Sequence, residues 1–359
     1  MSDSNNPNSA LNHLPQDLFE AILHLLPFKS IGSLKSVSKR WCSMISSPQF
    51  IKTHIRNFIK NNPNPNPTHL ILDEEAGDII YSVDIKQLNT QPTPATLIAK
   101  RLNLQELLFE ILGSCNGLLL TNDIHHNLYL VNPTTRKTLK VPVGKSIDGT
   151  YRFGYDSSTD DYKVISISRL SISDSDPDTK FVRVYSLRNN SWNVLPNVSY
   201  KHDYYGLGVL LNNNLHWVVK SSRRSTMTIA AFSLASEEFH EIEFPDSVNY
   251  MFSSLCALGG KLVAVLQCDE FVSELWVMEE YGVPMSWKKL CTLDMDLNDE
   301  FFAQVSNRDI LLGNNYANEI VMYNTDERRS TRVTIEGCRE RFRVFATYVE
   351  SLESPERFR

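Results

Sequence analysis

Apolar residues near the start of the chain follow a helical spacing. Leu18, Phe19, Ile22, Leu23 and Leu25, with Leu26 just beyond, recur at intervals of three and four and predict a helix over Gln16–Leu25. Asp17 and Glu20 fall in its first turn, where the helix dipole favours negative charge. These positions cover more of the helix circumference than one packing face needs. Pro27 ends the helix. A second helical segment carries Leu34, Val37, Trp41, Met44 and Ile45 in one stripe, with Lys35, Lys39 and Arg40 off it. Pro48 closes that segment, and a short amphipathic piece follows over Phe50–Ile59. A unit of about 45 residues cannot enclose a good core unaided. Its surplus apolar surface therefore needs an outside partner or the rest of the chain.

The run NNPNPNPT (Asn61–Thr68) is incompatible with helix or sheet and predicts a short, extended, semi-rigid spacer. Beyond it the pattern changes to short β-rich runs separated by Asn, Asp, Gly and Ser turns. LYLVNPTTRKTLKVP (from Leu128), VRVYSLRNNSWNVLP (from Val182), IAAFSLASEEFHEIEFP (from Ile229), LWVMEEYGVPMSWKKL (from Leu275) and IVMYNTDERRSTRVTI (from Ile320) align as strand, polar turn, strand. Each follows two more strand-like runs, as in YRFGYD then DYKVISIS. Four strands at a period of roughly 45–55 residues mark the blade of a β-propeller. Five blades span about Phe109 to Ile335. HLILDE, DIIYSVDI and Thr96–Leu102 remain upstream and RFRVFATYVESL downstream. Because open sheet edges invite aggregation, these leftovers are expected to close the ring as a sixth blade. A seven-bladed ring or an irregular sandwich stays open at this point.

Composition narrows the function. The 359 residues carry a formal net charge of −6 with Lys and Arg scattered, so no nucleic-acid partner is expected. The N-terminus has neither a basic nor an apolar signal region, and no run of about 18 apolar residues predicts a membrane span. Cytoplasm or nucleus is the expected setting. The six cysteines, Cys42, Cys115, Cys256, Cys268, Cys291 and Cys338, form no C-x-x-C pair and read as reduced, mostly buried thiols. The sequons at Asn189 and Asn197 are expected to be silent. Hydrolase, phosphate-loop and zinc motifs are absent, so no catalytic residue, cofactor or metal is expected. His125–His126 and Asp160–Asp161 sit in blade turns and read as turn residues. Trp192, Trp217, Trp276 and Trp287 recur at related blade positions and read as packing residues rather than a ligand cage.

LPQDL (Leu14–Leu18), Ile22–Leu23, LPFKS (Leu26–Ser30), LKSVSKRW (Leu34–Trp41) and ISSPQFIKTH (Ile45–His54) together resemble the F-box of plant F-box proteins, in order and spacing. One departure is Phe28, where that family often has a smaller residue. Downstream, SCNGLLL (Ser114–Leu120), NPTTRK (Asn132–Lys137), GYDSSTDDYKV (Gly154–Val164), the NSW of Asn190–Trp192, LHWVV (Leu215–Val219) and YVESL (Tyr348–Leu352) resemble the F-box-associated, kelch-like domain of the same family. Self-incompatibility S-locus and immune-regulating F-box proteins of plants share the arrangement. The resemblance implies a mainly β chain, with a small three-helix F-box followed by a kelch-like β-propeller. The expected division is a disordered tail (1–10), F-box (11–59), Asn-Pro linker (60–67), propeller (68–352) and terminal tail (353–359).

The resemblance also implies a non-catalytic substrate-recognition subunit of an SCF-type cullin-RING ubiquitin ligase. Its F-box would bind a Skp-type adaptor and, through it, the cullin and RING subunits. The adaptor-binding candidates are Leu14, Pro15, Leu18, Ile22, Leu26, Pro27, Ile31, Leu34, Val37 and Trp41, some of which must instead pack the unit's own core. A target protein would be held on the propeller loops. YKHDYYG (Tyr200–Gly206), SISDSDPDTK (Ser171–Lys180) and SSRRS (Ser221–Ser225) are the candidate loops, with Tyr200, Tyr204, Tyr205, Arg223 and Arg224 as anchors. Two alternatives stand beside this reading: a propeller enzyme or carbohydrate-binding module with a helical cap, and an F-box scaffold that drives no degradation.

Overall fold

The computed structural model describes residues 15–26, 28–61, 68–74, 79–89, 96–104, 110–143, 149–169, 180–195, 204–220, 227–245, 252–269, 272–294, 302–306, 308–314, 319–338 and 342–357. Four helices open the chain: α1 Gln16–His24, α2 Phe28–Leu34, α3 Lys39–Ile45 and α4 Pro48–Asn61. The stripe expected to be one helix from Leu34 to Ile45 is broken by a turn at 35–37. Ser38 is extended there, and its hydroxyl accepts from the Trp41 N–H at 3.2 Å, which caps α3. α4 runs through Asn61, so helix continues past the expected start of the linker. Pro27 and residues 62–67 lie outside the described residues.

The β region begins with β1 His69–Glu74, β2 Ile80–Asp84 and β3 Thr96–Leu102. Four meanders follow. The first is β4 Glu110–Cys115, β5 Leu118–Asn122, β6 Leu128–Asn132 and β7 Lys137–Val141; the second is β8 Gly149–Asp156, β9 Asp161–Arg169, β10 Lys180–Ser186 and β11 Ser191–Val194. The third is β12 Tyr204–Leu211, β13 Asn214–Lys220, β14 Met227–Ser233 and β15 Phe239–Ile242; the fourth is β16 Phe252–Leu258, β17 Lys261–Asp269, β18 Val272–Met278 and β19 Trp287–Leu293. Each meander is a separate four-stranded antiparallel sheet. The fifth, β20 Phe302–Gln304, β21 Asp309–Asn314, β22 Glu319–Asn324 and β23 Arg329–Glu336, is fused to a sixth group in one eight-stranded sheet.

That sixth group has the order β24-β1-β2-β3, with β24 at Phe342–Tyr348. The C-terminal strand pairs antiparallel with the first strand of the domain, His69 opposite Tyr348 and Glu74 opposite Phe342. This is the closure expected from the leftover runs. The fusion itself was not expected. β23 and β3 pair parallel, Thr334 to Thr96 and Glu336 to Ile98, so two outermost strands cover each other's edges.

First strands of successive sheets lie side by side: β24 against β4, β4 against β8, β8 against β12, β12 against β16 and β16 against β20. Cores form between neighbouring sheets. Leu118, Leu130, Phe153 and Tyr162 belong to one such cluster; Ile165, Val182, Trp217 and Phe232 belong to the next. The tryptophans divide by role. Trp192 on β11 and Trp287 on β19 hold equivalent positions, and each indole N–H donates to a carbonyl just beyond the outer strand of the preceding sheet: Trp192 to Pro142 at 2.5 Å, Trp287 to Glu243 at 3.0 Å. Trp217 is buried on a second strand and Trp276 sits on a third, so those two are not their counterparts.

The segment from Glu353, expected as a terminal tail, packs against the rest of the chain as far as it is described. Ser351, Leu352, Glu353 and Pro355 are buried. Leu352 joins Leu23, Phe28, Ile31, Ile45 and Phe50 in the core of the helical unit.

Candidate docking surfaces and the joint between them

In α1, two apolar stripes run side by side. Phe19, Leu23 and Leu26, spaced by four and three, face the core of the helical unit. Leu18, Ile22 and Leu25 repeat that spacing one residue earlier and face outward, 54%, 48% and 83% exposed. Pro15 is exposed at the start of the helix, and its carbonyl accepts from the Phe19 N–H at 3.1 Å. Val37, in the turn before α3, is 60% exposed. This surface is larger and more apolar than a lone solvated helix requires.

The ten adaptor candidates therefore separate. Pro15, Leu18, Ile22 and Val37 are exposed, whereas Ile31 is 0% exposed and belongs to the core, so it is no surface residue. Leu26, Leu34 and Trp41 are partly buried against the same core, with the Trp41 ring edge-on to Phe19 at 4.7 Å. Leu14 and Pro27 lie outside the described residues. Leu25, absent from the candidate set, caps the end of the helix and is more exposed than Leu18 or Ile22. Its four-three spacing from Leu18 and Ile22 was the signal that could have found it. Phe28, the larger residue at the departure from the F-box pattern, is buried with its ring 4.7 Å from His54.

Of the target candidates, Tyr200, Arg223, Arg224 and all but the last residue of Ser171–Lys180 lie outside the described residues. Tyr204 and Tyr205, expected in a loop, have their backbone in β12, opposite Val219 and Val218. Aromatic residues favour extended strand backbone. Antiparallel meanders send alternate connections to opposite faces. The turn between β8 and β9 meets the helical unit through Asp160. The strand ends flanking the three candidate segments (β9–β10, β11–β12 and β13–β14) consequently lie on the face away from the helices.

On the near face, three of the propeller motifs meet the segment that follows β24. From NPTTRK, Asn132 donates to the Ser351 carbonyl at 3.1 Å and to the Glu353 carbonyl at 2.8 Å. From SCNGLLL, Gly117 has φ +82° and passes so close to the terminal segment that a Cβ would sit 2.7 Å from the Val349 carbonyl oxygen. GYDSSTDDYKV supplies Tyr162, whose hydroxyl donates to Glu353 at 3.0 Å, and Asp160. Asp160 accepts from Tyr155 at 2.7 Å and pairs with Arg357 at 2.5 Å and with Lys52 of α4 at 3.2 Å. Arg357 also meets Glu353 at 3.1 Å. Burial alone would raise the Asp160 carboxyl; hydrogen bonds from Tyr155 and Arg357, the Arg357 charge and Lys52 hold it down at about 2. Burial lifts Glu353 above the usual carboxylate range, although Arg357 and Tyr162 oppose the shift. The turn reading of Asp160 was incomplete, because its side chain links three segments.

His125 and His126 are exposed in the turn between β5 and β6. Among the described residues no group of three or more His, Cys, Asp or Glu is placed to hold a metal, and no helix is long and apolar enough to cross a membrane.

Comparison with known proteins agrees with this division of the chain. Residues 11–53 match the F-box domain, and residues 76–355 match the F-box associated beta propeller domain. F-box protein CPR1 of Arabidopsis thaliana is 28% identical, over 90% of this chain and 85% of its own length. The F-box/kelch-repeat protein At3g23880 of the same plant is 28% identical, over 79% of this chain and 80% of its own. F-box protein At3g07870 is likewise 28% identical, over 78% and 72%. With a helical unit of F-box pattern joined to strand meanders that match the associated propeller over most of the chain, the protein belongs to the family of F-box proteins with an F-box-associated β-propeller domain.

Proposed function

We propose that the chain is the non-catalytic substrate-recognition subunit of an SCF-type cullin-RING ubiquitin ligase. The helical unit binds a Skp-type adaptor and, through it, the cullin and RING subunits. The propeller holds a target protein by loops on the face away from the helices. The observation that carries this reading is the second apolar stripe of α1: Leu18, Ile22 and Leu25 stay exposed although Phe19, Leu23 and Leu26 already cover the core. Catalysis on this reading is proximity. The subunit raises the local concentration of target lysines beside the ubiquitin-charged enzyme and performs no bond chemistry itself. Cytoplasm, nucleus or both are the setting that goes with it.

The test is calorimetric titration of a purified Skp-type adaptor into the full chain. Each buried Leu-sized side chain is worth about 1.5–3 kcal/mol. Leu18→Ala/Ile22→Ala should therefore weaken binding about a hundredfold or more, with an unchanged melting temperature. A folded wild-type chain that binds no adaptor would sink the reading.

A further inference from the structure

The near-face cluster contains none of the adaptor or target candidates. It joins three pieces far apart in sequence: α4 of the helical unit, the β8–β9 turn of the propeller, and the segment that follows β24. The joint has an apolar half and a polar half. In the apolar half, Leu352 leaves the propeller to complete the core formed by Leu23, Phe28, Ile31, Ile45 and Phe50. In the polar half, charges alternate along Lys52, Asp160, Arg357 and Glu353, ending on the Tyr162 hydroxyl. Asn132 fixes the backbone between the two halves by donating to two of its carbonyls, while its own Oδ1 accepts from the Thr134 and Thr135 N–H groups.

We infer that residues Val349–Arg357 are the coupling element that seats the helical unit on the propeller, so that the exposed stripe of α1 and the far-face loops keep one orientation. Domains joined by a linker alone move relative to each other unless a buried apolar interface holds them. Here the interface is the shared core around Leu352, and the charge chain sets its rotation. The joint stands on contacts within this chain. Its consequence, that a held target meets the ubiquitin-charged enzyme at a fixed distance, rests on the ligase reading above.

A distance measurement tests the joint without any ligase component. Cys42 is exposed on α3 and Glu241 is exposed on β15. In the full chain carrying Cys268→Ala, Cys338→Ala and Glu241→Cys, spin labels at Cys42 and at position 241 report the separation of the two units by pulsed dipolar spectroscopy. The parent should give one narrow distribution. Leu352→Ala should widen it about twofold, and Lys52→Glu should widen it less, because only the charge chain is cut. Lys52 is partly exposed, so its substitution leaves the fold intact. A broad distribution in the parent, or parental width in both variants, overturns the inference. Widening in Leu352→Ala alone, with adaptor affinity lost in that variant, marks local unfolding of the helices and also overturns it. Adaptor titration in parallel separates the two proposals: a chain that shows the expected widths but binds no adaptor keeps its joint and loses its ligase role.

Discussion

Gly117 and His216 show what single positions contribute. Gly117 combines a left-handed φ with a close approach, its missing Cβ being 2.2 Å from the Ser351 hydroxyl. Gly117→Ala should therefore destabilise the fold by roughly 1–3 kcal/mol through strain and displacement of the terminal segment, seen as a lowered urea midpoint. The Asn-Gly pair of SCNGLLL forms the tight turn between β4 and β5. That the turn is also a seat for residues more than two hundred positions away had no local signal. His216 is buried, with Nδ1 3.1 Å from the Val209 carbonyl and Nε2 2.7 Å from the Tyr281 hydroxyl. The neutral ring donates to the carbonyl and accepts from the tyrosine. Burial lowers it from 6.5 to about 4. The unfolded chain therefore takes up a proton between pH 6.5 and 4 that the folded chain refuses, and stability falls with pH across that window, by on the order of 3 kcal/mol. Above 6.5 the term is fully present. Urea midpoints measured across this window should fall more steeply for the wild type than for His216→Gln; equal slopes would show that this ring carries no such linkage.

At the scale of elements, the helix period predicts α1 but does not say which stripe faces inward, because both stripes have the same spacing and the same residue types. The distinction comes from α4 and Leu352, which cover one stripe and not the other. It makes opposite predictions for neighbouring residues. Leu23→Ala opens a cavity in the core and should cost about 2–5 kcal/mol of stability, read by chemical denaturation. Leu25→Ala should leave stability unchanged and weaken adaptor binding about tenfold, read by titration. The break between α2 and α3 was hidden for a different reason. The apolar spacing runs on through Val37, and only the capping hydroxyl of Ser38 marks the new start. Strand meanders were far more legible, since alternation and turn residues repeat in every sheet. Tyr204 and Tyr205 were placed in a loop as part of a clustered aromatic run, whereas their backbone pairs with β13.

For the molecule as a whole, closure by the two ends of the domain was legible as arithmetic, three strands left upstream and one downstream. Fusion of the fifth and sixth groups was not legible, because a parallel ladder of three residue pairs leaves no pattern of its own. Nor was the joint, since Asp160 and Arg357 are 197 positions apart. A chain ending before Phe342 loses β24, the joint and one of the two partners of β1. Its exposed edge should drive association, and size exclusion with light scattering should show soluble aggregates. A monomer that melts cooperatively would contradict the importance of this closure. The same pairing has a consequence for how the protein is made. β1 leaves the ribosome early, but β24 follows β3 by about 240 residues. At about 5–20 residues per second the first three strands wait on the order of 10–50 s for their partner. Ribosome-bound chains ending at Glu336 should be cut by protease within β1–β3 while their middle meanders resist. Until β24 is added the ring should stand as an open arc, and its exposed edge would have to be kept from other nascent chains.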